Sequence, residues 1–273
     1  MKKKIMAGTL IAAAMLVCPI NVFAAGETIE EQVLLDSNGV KITAKALNTE
    51  GGFMGPELKL LIENNTDANL TVQTRGTSVN GYMTETMMSS EVAAGKKIND
   101  NMTIMNSDLE ICGIETIADL EMSFHIFDSE SWETYLDTEL VQINTSAQEG
   151  YVYEYDDTGD VLYEDANIKI VKKGLSEDSS FLGPSVMLYI ENRMEQPITV
   201  QANDISVNGF MVDALISEEI TPGKHAIADM TFMSSELEEN GIENMEDLEL
   251  SFHIFDTDTW DTITDTDVIA VKF

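Results

Sequence analysis

The stretch Leu120-Glu121-Met122-Ser123-Phe124-His125-Ile126-Phe127-Asp128 recurs as Leu248-Glu249-Leu250-Ser251-Phe252-His253-Ile254-Phe255-Asp256. Within each copy apolar and polar residues alternate, the period of a half-buried β-strand. Leu120, Met122, Phe124 and Ile126 then share an inner face, while Glu121, His125 and Phe127 lie on the outer one. Outward from this strand the match continues: residues 40–143 align with 168–271 at a constant offset of 128, without a gap and with about 45 of the 104 pairs identical. A period this long lies outside the 20–50 residues of solenoid repeats. Each copy instead has the size of a domain with its own core.

The shared blocks are strands and turns. Leu58, Leu60 and Ile62 alternate with polar residues, as do Val186, Leu188 and Ile190. Asn80-Gly81 and Asn208-Gly209 each sit between strand-forming residues and predict type I′ hairpins, which need two residues at positive φ. Gly95-Lys96 and Gly223-Lys224 mark a second turn. Ser107-Asp108-Leu109-Glu110 and Ser235-Glu236-Leu237-Glu238 read as helix capping boxes, with Gly113 and Gly241 ending a turn or two of helix. The pattern predicts about seven strands per copy, near 40–47, 58–64, 69–74, 78–89, 98–105, 120–127 and 138–143, and so an all-β protein of two tandem antiparallel sandwiches, each with a short helix. The order of an Ile-Glu-Asn strand end, a Ser-Val-Asn-Gly hairpin, a Gly-Lys turn, a Ser-x-Leu-Glu cap and a Phe-x-Ile-x-Asp strand resembles immunoglobulin-like domains of uncharacterised function in secreted and lipid-anchored proteins of Firmicutes. That resemblance implies an immunoglobulin-like sandwich in an extracellular setting, and it carries no catalytic residue.

Lys2, Lys3 and Lys4, the apolar run Ile5 to Ile20, and Val22-Phe23-Ala24 read as an export signal cleaved after Ala24. The run is too short for the roughly 20 residues that span a bilayer. Val17 stands before Cys18 where a lipobox expects a small residue, so lipid anchoring at Cys18 is not expected. The organisation read from the sequence is a leader at 1–24, repeat 1 at 25–145, a short polar linker at 146–160 and repeat 2 at 161–273, with no membrane-spanning segment after the leader.

The chain holds 15 basic and 49 acidic residues, a formal net charge of −34. Removing the leader takes three Lys and no acid, leaving −37. Such a charge opposes nucleic-acid binding, which draws its affinity from clustered Lys and Arg. It draws cations and basic partners instead. Loss of Cys18 leaves Cys112 as a single thiol, so the sandwiches must rely on their cores, and Cys112 reads as an incidental small residue.

The candidate sites are few. Asp128, Glu130 and Glu133, with Asp256, Asp258 and Asp261, place carboxylates at near-alternate positions after the repeated strand, a candidate Ca²⁺ site without the Gly and bidentate Glu of an EF-hand. His125 and His253 supply one imidazole per repeat, short of the ligand set of a zinc centre. Met102 with Met105, and Met230 with Met233, have a spacing that puts the two side chains on opposite faces of a strand, which favours core packing over copper binding. No metalloprotease helix motif, nucleophile elbow or phosphate loop occurs. The expectation is a secreted or cell-surface, non-enzymatic interaction or spacer protein with an unknown protein or cell-surface ligand and no cofactor; the alternative is an extracellular Ca²⁺-binding protein that uses the acidic hairpins.

Overall fold

The computed structural model describes residues 26–176 and 182–273. The expected export signal, Cys18 and Phe181 of the repeated Phe-x-Gly-Pro block lie outside the described residues. Repeat 1 contains β1 (Gln32–Ser37), β2 (Val40–Gly52), β3 (Gly55–Asn64), β4 (Leu70–Val79), β5 (Tyr82–Met83), β6 (Thr86–Met87), β7 (Ser89–Val92), β8 (Lys97–Ile104), α1 (Asn106–Ile111), β9 (Asp119–Asp128), β10 (Thr134–Asp137) and β11 (Val141–Asn144). Repeat 2 follows with β12 (Asp160–Glu164), β13 (Ile168–Ser176), β14 (Ser185–Asn192), β15 (Ile198–Val207), β16 (Phe210–Met211), β17 (Ala214–Leu215), β18 (Ser217–Ile220), β19 (His225–Phe232), α2 (Ser234–Glu239), β20 (Asp247–Asp256), β21 (Thr262–Asp265) and β22 (Ile269–Lys272).

The protein is all-β, and each repeat is an antiparallel sandwich. In repeat 1 one sheet runs β1-β2-β3-β8-β6, and the other centres on β9 and β4, with β10 and β11 along β9 and β5 and β7 along β4. Repeat 2 reproduces this with β12-β13-β14-β19-β17 opposite β20 and β15, flanked by β21, β22, β16 and β18. The inner faces supply the cores. Ile42, Leu58, Leu60, Ile62, Met102, Leu120, Phe124 and Ile126 are buried in repeat 1, as are Ile170, Val186, Leu188, Met230, Leu250, Phe252 and Ile254 in repeat 2. Met102 and Met230 therefore pack the cores.

Local chemistry fixes the turns. Asn80 and Gly81 adopt φ 50° and 84°, and Asn208 and Gly209 adopt 51° and 81°, the positive values of a type I′ turn. Asn80 also braces the sandwich: its Oδ1 accepts the amides of Ala118 (2.7 Å) and Asp119 (3.2 Å) while its Nδ2 donates to the Thr116 carbonyl (2.7 Å). Asn64, ending the Ile-Glu-Asn strand, donates from Nδ2 to the carbonyls of Ala68 and Val92 (2.8 and 2.9 Å), satisfying polar groups in the buried rim.

Three expectations are corrected. The helices begin one residue before the serines of the expected capping boxes, Met105 and Met233 hold the cap positions, and neither makes a side-chain cap hydrogen bond. The helical acids act elsewhere: Asp108 Oδ2 accepts the Glu85 amide (2.5 Å) and Glu236 Oε2 the Asp213 amide (2.7 Å), tying each helix to the neighbouring loop. Strands β1, β12, β10 and β21 extend the sheets beyond the seven per copy that the pattern predicts, because short edge strands carry little hydrophobic alternation. The linker, expected to be short and polar, is packed through its tyrosines, as the next section describes.

Candidate functional site

Two features outside the cores stand out, the acidic hairpins and the junction between the repeats. The hairpins join β9 to β10 and β20 to β21. Asp128 Oδ1 accepts the amides of Glu130 (3.0 Å) and Ser131 (2.8 Å) and the Ser131 hydroxyl (3.1 Å). Asp256 Oδ1 accepts the amides of Asp258 (3.0 Å) and Thr259 (2.8 Å). The amides of Ser131 and Glu130 hold the Asp128 carboxyl below the usual carboxylate range. These two carboxylates thus cap their own turns. Among the described residues no group of three or more His, Cys, Asp or Glu side chains converges as metal ligands, so Asp128, Glu130 and Glu133, and Asp256, Asp258 and Asp261, are not gathered into a Ca²⁺ cage.

Each turn closes on a tryptophan. The amides of Trp132 and Trp260 donate to the carbonyls of Asp128 and Asp256, both 2.9 Å away. Their φ values are 65° and 64°, in the left-handed region where glycine or asparagine usually stands. Each indole stacks on the preceding phenylalanine, Trp132 on Phe127 and Trp260 on Phe255, with centroids 5.4 Å apart and interplanar angles of 17° and 16°. The phenylalanines are buried beneath, while both tryptophans remain 74% exposed. The left-handed backbone costs a side chain about 1–2 kcal/mol. An aromatic pair returns roughly 0.5–1.5 kcal/mol.

The imidazoles extend the same outer strip. His125 lies 5.3 Å from the Phe127 ring and its Nδ1 is 2.5 Å from Asp137 Oδ1; His253 lies 5.2 Å from Phe255 and 2.6 Å from Asp265. On the adjacent strands Gln73 Nε2 donates to Ser89 Oγ (3.2 Å) and Gln201 Nε2 to Ser217 Oγ (3.1 Å). Gln73 pairs in register with His125 and Gln201 with His253. The outer row Asp-His-Gln-Ser is thus the same in both repeats, down to its hydrogen bonds.

The junction is where sequence reasoning fell short. The hairpin end of repeat 1 docks on the outer face of the β13-β14-β19 sheet, with the His225 amide donating to the Gly81 carbonyl (2.9 Å) and a single parallel pair joining His225 to Tyr82. Tyr82, Val171 and Tyr189 are buried together, with Cys112, Ile114, Tyr155 and Ile227 packed against them. Tyr155 stacks on His225 at 3.7 Å between centroids, and the Tyr189 hydroxyl lies 2.7 Å from His225 Nδ1. From the segment between the repeats, Tyr151 accepts the Asn80 side-chain amide (2.9 Å), Tyr153 donates to Asp119, and Tyr155 donates to the Asn80 carbonyl (3.2 Å). Lys224 meets Glu121 across the boundary at 3.1 Å.

Burial sets the electrostatics here. It pushes the His225 imidazole down to about 4 and the Cys112 thiol up to about 12. Beside the contact lies a cleft of about 690 Å³, lined by Asp108 and Glu85 from repeat 1 and Glu218 and Glu219 from repeat 2. Burial, and then the neighbouring charges of Glu85 and Asp108, push Glu218 up to about 7.

Fold and junction together define a tandem all-β sandwich protein. No protein-family profile matches the chain, and no curated protein does. Among solved structures it is similar to the YadV chaperone, with a TM-score of 0.26 and 11% identity over 86% of this chain and 100% of that one. It is also similar to the Salmonella enterica SafA pilin in complex with the SafB chaperone, with a TM-score of 0.21 and 11% identity over 80% of this chain and 89% of that one. Among the described residues no helix is long and apolar enough to cross a membrane.

Proposed function

We propose that this chain is an exported, non-enzymatic interaction module in which two sandwiches are held at one spacing so that their repeated outer faces meet a protein partner together. The observation that carries the reading is the junction. Domains joined by a free tether move independently by default. Here the segment between the repeats packs against both of them, and Tyr155, His225, Tyr82 and Tyr189 form a buried contact satisfied by directional hydrogen bonds. A fixed pair of similar faces gains avidity for a partner whose sites match the spacing. The leader pattern supports export, and the negative charge favours a basic partner over anionic polymers.

The test is small-angle scattering of residues 25–273, together with a glycan and peptide turnover assay. One inter-domain distance, broadened by Tyr155→Ala, is expected. A broad distance distribution in the unaltered protein, or turnover abolished by a single Asp or Glu substitution, overturns the reading.

A further inference from the structure

Resting on that reading, we propose that the exposed faces of Trp132 and Trp260 are paired binding sites for cationic side chains, lysine or arginine, of a basic partner segment. One face of each indole is stacked on the phenylalanine beneath it, and each tryptophan residue is 74% exposed, which leaves the opposite face to solvent. A tryptophan face is the best aromatic surface for an ammonium or guanidinium group.

The flanking sequence supplies the matching charge. No Lys or Arg occurs in residues 98–168 or 225–271, the segments that carry the two hairpins. Comparing the repeats shows what is kept. The tryptophan is invariant between them, whereas Glu130, Glu133 and Glu139 are replaced by Asp258, Asp261 and Asp267. Charge survives at every one of these positions while side-chain length does not. A coordinated metal ion requires fixed carboxylate reach, and no such convergence is present among the described residues. A field around an aromatic platform requires only sign, which suits an organic cation.

The test is anisotropy of a fluorescein-labelled hexalysine peptide titrated with residues 25–273 at about 100 mM salt. Trp132 and Trp260 are the only tryptophans, so indole emission reports the same event directly. The informative variants are Trp132→Gly and Trp260→Gly, which leave net charge unchanged and place glycine where φ is positive. Each is expected to weaken binding about two- to fivefold, the range of an exposed cation–π contact, and the double variant to weaken it further. Glu130→Gln with Glu133→Gln should weaken it as well, with the indole intact.

Absence of hexalysine binding overturns the proposal. So does a double tryptophan variant with an unchanged melting midpoint that binds as tightly as the parent, because attraction is then diffuse. A peptide carrying two lysine clusters separates this site from the module reading. Indole-dependent binding without gain from the second cluster would sink the fixed spacing and leave the sites standing. A fixed spacing by scattering with binding indifferent to the tryptophans would do the reverse.

Discussion

Tyr155 lies flat against His225, 3.7 Å between ring centroids and 27° from parallel, so a residue from the segment between the repeats seals the docking of one sandwich on the other. The stack and the hydrogen bond to the Asn80 carbonyl belong to the junction alone, since neither repeat's core includes Tyr155. Tyr155→Ala is therefore expected to remove about 2 kcal/mol from docking while both sandwiches stay folded. Calorimetry should resolve two transitions where the parent shows a coupled one, and a variant that still melts as one unit would contradict this.

The junction also holds two opposed titrations. His225 is pushed down to about 4 from its ordinary 6.5, so its contribution is complete above pH 6.5 and is lost as pH falls through 4. Glu218 is pushed up to about 7 from 4.5, so its contribution is complete below pH 4.5 and is lost as pH rises through 7. Between pH 4.5 and 6.5 the slopes of these two groups oppose, so in the parent protein they offset each other in part. Glu218→Gln should leave stability rising with pH across that window, and His225→Gln should leave it falling. Melting midpoints at half-unit pH intervals check both signs, and parallel curves for the two variants would refute the pairing.

Cys112 offers a probe of opening. Burial, with Asp108 and Glu218 nearby, raises its thiol to about 12, and only the thiolate reacts with alkylating agents. Iodoacetamide at pH 8 should label it slowly in the parent and at least tenfold faster in Tyr155→Ala. Equal rates, followed by mass spectrometry, would show that the thiol is not shielded by docking.

The sandwiches were legible because their signals are local. Alternation in Leu120 to Ile126 fixes the buried face, and Asn80-Gly81 fixes a turn that few other dipeptides allow. The junction is written in the differences between the repeats rather than in their identities. At equivalent outer positions Thr43, Leu61, Lys97 and Asn99 of repeat 1 are replaced by Val171, Tyr189, His225 and Ile227 in repeat 2. Together with Tyr151, Tyr153 and Tyr155 at alternate positions, that shift toward apolar and aromatic residues marks a covered face, and aligning the repeats for likeness alone passes over it. The acidic hairpins were legible as acidic, but composition does not reveal that Asp128 and Asp256 spend an oxygen on their own backbone. The capping boxes misled because their serines fall one residue inside the helix.

Asn80 and Asn208 occupy equivalent turns with unequal duties, which gives the last prediction. Both adopt left-handed φ and both brace the segment before the following strand. Asn80 alone is buried and also donates to Tyr151, so it links the repeat 1 turn to the segment that seals the junction. Glycine preserves the backbone conformation and removes the hydrogen bonds, so Asn80→Gly should cost roughly 1–3 kcal/mol, the penalty for leaving buried partners unsatisfied. Alanine adds the left-handed strain, about 1–2 kcal/mol more. At Asn208, which is more exposed, the glycine change should cost clearly less while the step from glycine to alanine stays the same. Chemical denaturation of the four variants separates the two contributions. If Asn80→Gly and Asn208→Gly prove equally costly, the additional partner on Tyr151 does not stabilise the turn.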